Sequence, residues 1–307
     1  MKIRRDLSFA MFLSVMFQAG ADEIHRGESW VVERLGPTIN TEFNERFSMI
    51  SSDGLALYFA SDRPDSIGPV NARGRKEWDM YVAWRSSVTE PFGTAVNLGP
   101  EINSPYGDHS AAFSNDGHWM YFASSRPGGC GGYDLYISHR VDVEDPLGWG
   151  PPQHLGCTAN TEFDEACPFF ITDEQNDGAE VYFVRNSGRG QRDFQIFVSR
   201  VGEGVEVLQS ASPVPELNSL DGDYHFEPRH GLIWSRRAGG YGAADIWRTG
   251  MSHETNRWTE PENIGPAINS VHNETLPSST AGGVIYFPSD RPDGYGGYDI
   301  YMAIPSR

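Results

Sequence analysis

Short apolar and aromatic runs, each led by a turn, recur along the chain. "LALYFAS" follows Ser52-Asp53-Gly54, "HWMYFAS" follows Asn115-Asp116-Gly117, and "AEVYFV" follows Asn176-Asp177-Gly178. "LIWS" follows Arg229-His230-Gly231 and "VIYFPS" follows Ala281-Gly282-Gly283. An Asp-Gly turn before an aromatic-rich run marks a β-hairpin, because Gly accepts the positive φ that the turn demands. Five such hairpins predict an all-β chain of short strands.

Two further landmarks put these hairpins into a repeat. An Asp opens an aromatic strand at Asp79 ("WDMYVAWR"), Asp134 ("YDLYISHR"), Asp193 ("RDFQIFVSR"), Asp245 ("ADIWRTG") and Asp299 ("YDIYMA"), at gaps of 55, 59, 52 and 54 residues. Ahead of each lies a link ending in Asn: "LGPTIN" at Asn40, "LGPEIN" at Asn103, "LGCTAN" at Asn160, "VPELN" at Asn218 and "IGPAIN" at Asn269. About fifty residues and four short strands per unit describe a propeller blade. The expected architecture is a five-bladed β-propeller of four-stranded antiparallel blades, at about 38–98, 99–156, 157–217, 218–265 and 266–307. The last unit stops after its third strand, whereas "WVVERL" (Trp30 to Leu35) precedes the first link. The N-terminal strand, within 28–36, is therefore expected to complete the fifth blade and close the ring.

"SDGLALYFASDRP", "SSRPGGCGGYDLYIS" and "SDRPDGYGGYDIY" resemble the WD40-like repeat of TolB-type propellers. The resemblance runs from about Trp30 to the C terminus, and it implies an interaction module of the periplasm or cell surface. It departs from the pattern at "RNSGRGQRD" in the third unit and "YHFEPRHGLIW" in the fourth.

Composition changes the picture in two ways. Lys2, Arg4 and Arg5 precede the apolar run Leu7 to Phe17, and Ala19-Gly20-Ala21 suits a cleavage site, so 1–21 reads as a signal peptide and 22–307 as one exported, periplasmic or secreted domain. The net charge of -18 argues against nucleic acid, whose phosphates need clustered Lys and Arg. No later segment is long and apolar enough to span a membrane. A monomer working on a cell-envelope protein or glycan is the expectation.

Candidate chemistry centres on one offset. Five residues beyond each Asn stand Glu45, Asp108, Glu165, Asp223 and Glu274, expected near the start of the innermost strand at the channel mouth. Three readings are open for this acidic ring. Each carboxylate could hold its own blade together, the ring could form a negative funnel for a cation or basic peptide, or two of the acids could serve a glycosidase, as in five-bladed arabinanase-type enzymes. The least repeat-like stretch, with His225, Glu227 and His230 beside Asp223, is the best refuge for catalysis. Arg63, Arg126, Arg237 and Arg291 share an "S-x-R" position and are expected to pair with the strand-opening Asp across the loop, with acidic sugars as the alternative partner. Phe43, Tyr106, Phe163 and Tyr224 could stack on sugars or wedge the blades. No cofactor is expected. Zinc would have to be assembled across blades, and calcium could be taken by loop acids such as Asp290 and Asp293. Cys130 and Cys157 fall on one face and are expected to form a disulfide, leaving Cys167 free and buried. Together these features predict a non-catalytic binding propeller; a carbohydrate-active enzyme is the alternative.

Overall fold

The computed structural model describes residues 29–306 except 72–73, 174–177, 187, 189–192, 203–209, 236–238, 253 and 256. The proposed leader at 1–21 and Arg237 lie outside the described residues.

Five four-stranded antiparallel sheets form the ring of a five-bladed propeller. Blade one consists of β2 (Glu45–Ile50), β3 (Ala56–Ser61), β4 (Asp79–Trp84) and β5 (Val96–Asn97), and blade two of β6 (Asp108–Phe113), β7 (Trp119–Ser124), β8 (Asp134–His139) and β9 (Gln153–His154). Blade three is built from β10 (Asp164–Asp173), β11 (Gly178–Asn186), β12 (Phe194–Val201) and β13 (Ser212–Pro213). Blade four holds β14 (Asp223–Glu227), β15 (Leu232–Ser235), β16 (Asp245–Arg248) and β19 (Glu262–Asn263), with a small ribbon of β17 (Met251–Ser252) and β18 (Arg257–Trp258) between its last two strands. The fifth blade joins β20 (Ser278–Ser279), β21 (Ile285–Ser289) and β22 (Asp299–Ser306) to β1 (Ser29–Arg34), which pairs antiparallel with β22 from Ser29↔Ser306 to Arg34↔Tyr301. The first and last described strands thus share one sheet, as the sequence pattern predicts.

Aromatic and aliphatic side chains of neighbouring sheets fill the seams between blades. Tyr58, Met80, Val82, Met120 and Phe122 bury one seam, and Leu232, Ile246, Ile285, Phe287 and Tyr301 another. The Asn ending each link acts as a substitute strand residue. Asn103 donates to Met80 O and accepts from Met80 N, and Asn40, Asn160, Asn218 and Asn269 do the same at Ile300, Leu135, Ile196 and Ile246. Each link is thereby stitched to the third strand of the blade before it.

The glycines of the repeated loop are needed for close approach between blades. A Cβ on Gly296 would sit 1.9 Å from Phe43 O, one on Gly131 2.0 Å from Phe163 O, and one on Gly242 1.9 Å from His272 O. The loop of one blade therefore rests directly on the backbone of the next link. Among the described residues no helix is long and apolar enough to cross a membrane.

Candidate functional site

The five acids at the fixed offset are fully buried. Glu45 accepts bonds from Thr41 N (2.8 Å), Thr41 Oγ1 (2.6 Å), Ser61 Oγ (3.0 Å) and Arg63 Nη2 (3.0 Å). Asp108 takes Ser104 N, Ser104 Oγ and Arg126 Nη2 (2.8 Å), and Glu274 takes Ser270 N, Ser270 Oγ, Ser289 Oγ and Arg291. Glu165 is held by Thr161 and by Arg185 Nε at 2.6 Å, and Asp223 accepts from Ser219 N. Burial pushes the Glu45 and Glu165 carboxyls up, against the downward pull of their Thr and Arg partners. Of the three readings open for the acids, burial and partners fit the first: they are five clamps inside the blades and not a funnel at the channel mouth, because every carboxylate is turned away from solvent and occupied by its own link.

Arginine pairing is corrected too. Arg63, Arg126 and Arg291 bind the first-strand acid and a link carbonyl, at Ile39 O, Ile102 O and Ile268 O. The strand-opening Asp instead caps its own loop: Asp134 accepts from Cys130 N and Gly131 N, and Asp299 from Tyr295 N and Gly296 N. In blade three the residue paired with the acid is Arg185 and not the Ser of the motif, and Arg185 reaches Glu165 from that strand position.

The other expected candidates are equally engaged. Glu227 accepts from Ser279 Oγ (3.0 Å) and His230 N (2.9 Å), His230 Nδ1 lies 2.6 Å from Ser279 Oγ, and His225 Nε2 lies 2.9 Å from Pro277 O, so this cluster knots blade four to blade five. Cys130 and Cys157 form a disulfide, and Cys167 is free and buried. Cys130, Asp134 and His154 lie together, but the cysteine sulfur is committed to that disulfide. Asp290 is held at both oxygens by Asn273, and Asp293 accepts from Tyr301 OH, so these loop acids already have protein donors. Tyr224 is buried against Phe194 and Trp234, whereas Tyr106 is exposed.

What lines the cavity between the blades begins two positions further on. Every first strand carries one extra residue just past the acid: between Arg46 and Met49, His109 and Ala112, Ala166 and Phe169, Asp223 and His225, and between the Glu274↔Ser289 bridge and Ser278. At these β-bulges Phe47, Ser110, Cys167 and Leu276 hold φ values of 55°, 63°, 51° and 46°. A left-handed conformation costs a residue with a Cβ about 1–3 kcal/mol and persists only where the surroundings enforce it. The four residues, with His225 from blade four, line the cavity on the axis, which at about 10 Å³ has room for about one water.

Above it stands a collar of rings around Arg46. The guanidinium lies 4.4 Å from the Tyr298 ring centroid, 5.4 Å from Phe47 and 5.7 Å from Trp234. His109 stacks on Phe47 at 4.0 Å and meets Tyr133 at 4.5 Å, while Trp78 meets Phe47 edge-on at 5.7 Å. Burial, with the Arg46 charge second, drives the His109 imidazole down to about 3; burial takes His225 down to about 4 and pushes the Cys167 thiol up to about 12. Both imidazoles are neutral and the thiol is protonated at neutral pH. Nothing in the repeat pattern singled out Arg46, because the sixth position past each Asn differs in every unit.

No family model matches the chain, and no curated protein matches it in sequence. Its fold is shared with solved glycoside hydrolases. The α-L-arabinofuranosidase PaAbf62A from Podospora anserina, solved in complex with cellotriose, superimposes with a TM-score of 0.58 at 10% identity, covering 91% of this chain and 98% of that one. An α-L-arabinofuranosidase from Lactobacillus brevis gives 0.55 at 9% identity, over 89% and 92%. A thermostable family-43 glycoside hydrolase gives 0.56 at 11%, over 89% and 92%. These neighbours share the ring with this chain; at such identity they speak to fold alone.

Proposed function

We propose that the chain is an exported, carbohydrate-binding propeller of the cell envelope, with its ligand surface at the channel-mouth collar. The observation that carries this reading is the division of labour in the first strands. All five repeated acids are spent inside the blades, while rings and a guanidinium line the axis. Aromatic faces of this kind offer an apolar platform with polar edges, the usual make-up of a small-molecule site. The arabinofuranosidase and family-43 neighbours support the carbohydrate side of the reading.

A second reading, a glycoside hydrolase, is favoured by those same neighbours. It requires two carboxyl groups roughly 5 to 10 Å apart in different environments, one acid and one base or nucleophile. The clamps offer five carboxyls in one kind of environment, each closed off by an Arg or a link amide. Calorimetric titration with arabino-, xylo- and galacto-oligosaccharides, run beside a reducing-end assay, separates the two. Saturable binding without turnover supports the binding propeller. Release of new reducing ends, lost in a Glu165→Gln variant that circular dichroism shows to be folded, establishes the enzyme, and neither binding nor turnover removes the carbohydrate reading.

A further inference from the structure

We propose that the collar recognises a carboxylate-bearing sugar, a uronic acid, through Arg46, an inference that rests on the carbohydrate reading above. Each clamp arginine has a carboxylate: Arg63 has Glu45, Arg126 has Asp108, Arg185 has Glu165 and Arg291 has Glu274. Arg34 and Arg75 lie within 4 Å of Asp299 and Asp62. Among the described residues Arg85, Arg140 and Arg229 have no carboxylate within that distance but donate to the carbonyls of Gly54, Gly117 and Ser279. Arg46 has no carboxylate within that distance among the described residues either, and its Nε is buried without a hydrogen-bond partner. Asp290 is the one acid whose charge reaches it, and both oxygens of that residue are held by Asn273.

Arg46 is half-buried, with its Nε out of water, and an anionic partner would offset the cost of that partial desolvation. In a chain of net charge -18 the reverse arrangement, an acid with no base, would be the ordinary outcome. Tyr298, Phe47 and Trp234 approach the guanidinium as rings, so they stabilise it by cation–π contact and leave its planar edge for a bidentate carboxylate. Trp78, Tyr133 and Tyr298 are half-buried, and a pyranose would stack on the part of these side chains that solvent reaches. His109 and His225, held neutral by burial, add no second positive charge beside Arg46.

Calorimetry on the folded protein tests this with a galacturonic acid tetramer, the matching galactose tetramer and sodium acetate. The acidic tetramer is expected to bind about ten- to a hundredfold more tightly than the neutral one, the range of a charge-assisted pair. Acetate should bind far more weakly than the tetramer, and 0.5 M NaCl should erode the preference through screening. Arg46→Gln, with its fold checked by circular dichroism, should bring the two tetramers together. Should that variant unfold, Arg46→Lys keeps the charge without the planar fork and should lose several-fold in the preference. Equal binding of the two tetramers, or a preference retained in either folded variant, overturns the uronate site while leaving the carbohydrate reading intact. Acetate binding as tightly as the acidic tetramer overturns it as a sugar site. Binding of neither tetramer overturns the uronate site, and the carbohydrate reading falls with it only if the arabino- and xylo-oligosaccharides also fail to bind.

Discussion

Replacing Glu45 with Ala should destabilise the propeller through Arg63. The carboxylate accepts four hydrogen bonds in a fully buried place, and Arg63, itself mostly buried, keeps only Ile39 O and Ser61 Oγ when it is gone. Breaking a buried pair from one side costs about 3–5 kcal/mol, because the remaining charge stays desolvated. Glu45→Gln keeps one oxygen but turns an amide toward a backbone N–H or the guanidinium, a loss of about 2 kcal/mol. For a domain of this size about 4 kcal/mol lowers Tm by about 10 °C. Urea unfolding of Glu45→Ala, Arg63→Met and the double variant gives the coupling, expected at about 2 kcal/mol or more in the favourable sense. The same cycle in blade three must be run with Glu165 and Arg185. Loss of less than about 1 kcal/mol in Glu45→Ala, with no coupling to Arg63, would refute the clamp and return the acid to the channel as a functional group.

Three other outcomes follow from buried groups and close contacts. His109 and His225 titrate near 3 and 4 when folded but near 6.5 when unfolded, so the unfolded chain takes up their protons first. The stability they contribute is complete above pH 6.5 and is lost as pH falls toward 4, about 2 kcal/mol each by pH 5. Asp79, raised to about 6 chiefly by burial, works the other way, since its folded form binds a proton before the unfolded one, and returns about 1 kcal/mol. Denaturant melts at pH 7.5 and 5.0 on wild type and His225→Asn isolate one histidine; identical pH dependence would defeat the assignment. Reducing the Cys130–Cys157 disulfide, 27 residues apart, should cost about 3–4 kcal/mol by the chain-entropy estimate, read as a lower unfolding midpoint in dithiothreitol that Cys130→Ser/Cys157→Ser reproduces. Gly296→Ala drives a methyl into Phe43 O and should cost about 1–3 kcal/mol, whereas Gly36→Ala, whose methyl meets nothing within 4 Å, should be near neutral.

The ring itself was legible because its markers are local. Asp-Gly turns, aromatic strands and Asn-terminated links each report on a few neighbouring residues, and their recurrence counts the blades. The disulfide was legible for the same reason, as two loops on one face. Side-chain direction was not. An acid five residues past each Asn is placed at the head of the first strand, yet whether it looks into the channel or into the blade depends on the bulge that follows, and one inserted residue exchanges the faces of a strand. A usable signal did exist: the residue directly after every Asn is Ser or Thr, namely Thr41, Ser104, Thr161, Ser219 and Ser270, an amide-and-hydroxyl partner repeated as faithfully as the acid itself. Arg185 was hidden because it stands where the other blades have a strand Ser, two residues ahead of the motif position.

Repetition and function separate cleanly in the first strands. At the fifth position past the Asn the chemistry is one, a carboxylate, because every blade must solve the same burial problem at its link. At the sixth it is Arg46, His109, Ala166, Tyr224 and Thr275, and at the seventh Phe47, Ser110, Cys167, His225 and Leu276. The bulge is what allows this variety, since it re-aims the seventh residue at the axis without disturbing the clamp beneath it. Four of those five residues carry a Cβ in the left-handed region, so the backbone conformation is enforced by the blade rather than chosen by the side chain. An axis free to vary on a constant scaffold is how one ring can serve unrelated ligands, and in this chain the variable positions hold two aromatic rings, two imidazoles and one guanidinium beside Ala166, Thr275, Ser110, Cys167 and Leu276. The search for this protein's ligand therefore belongs at the sixth and seventh positions, where the blades differ, and not at the fifth, where they agree.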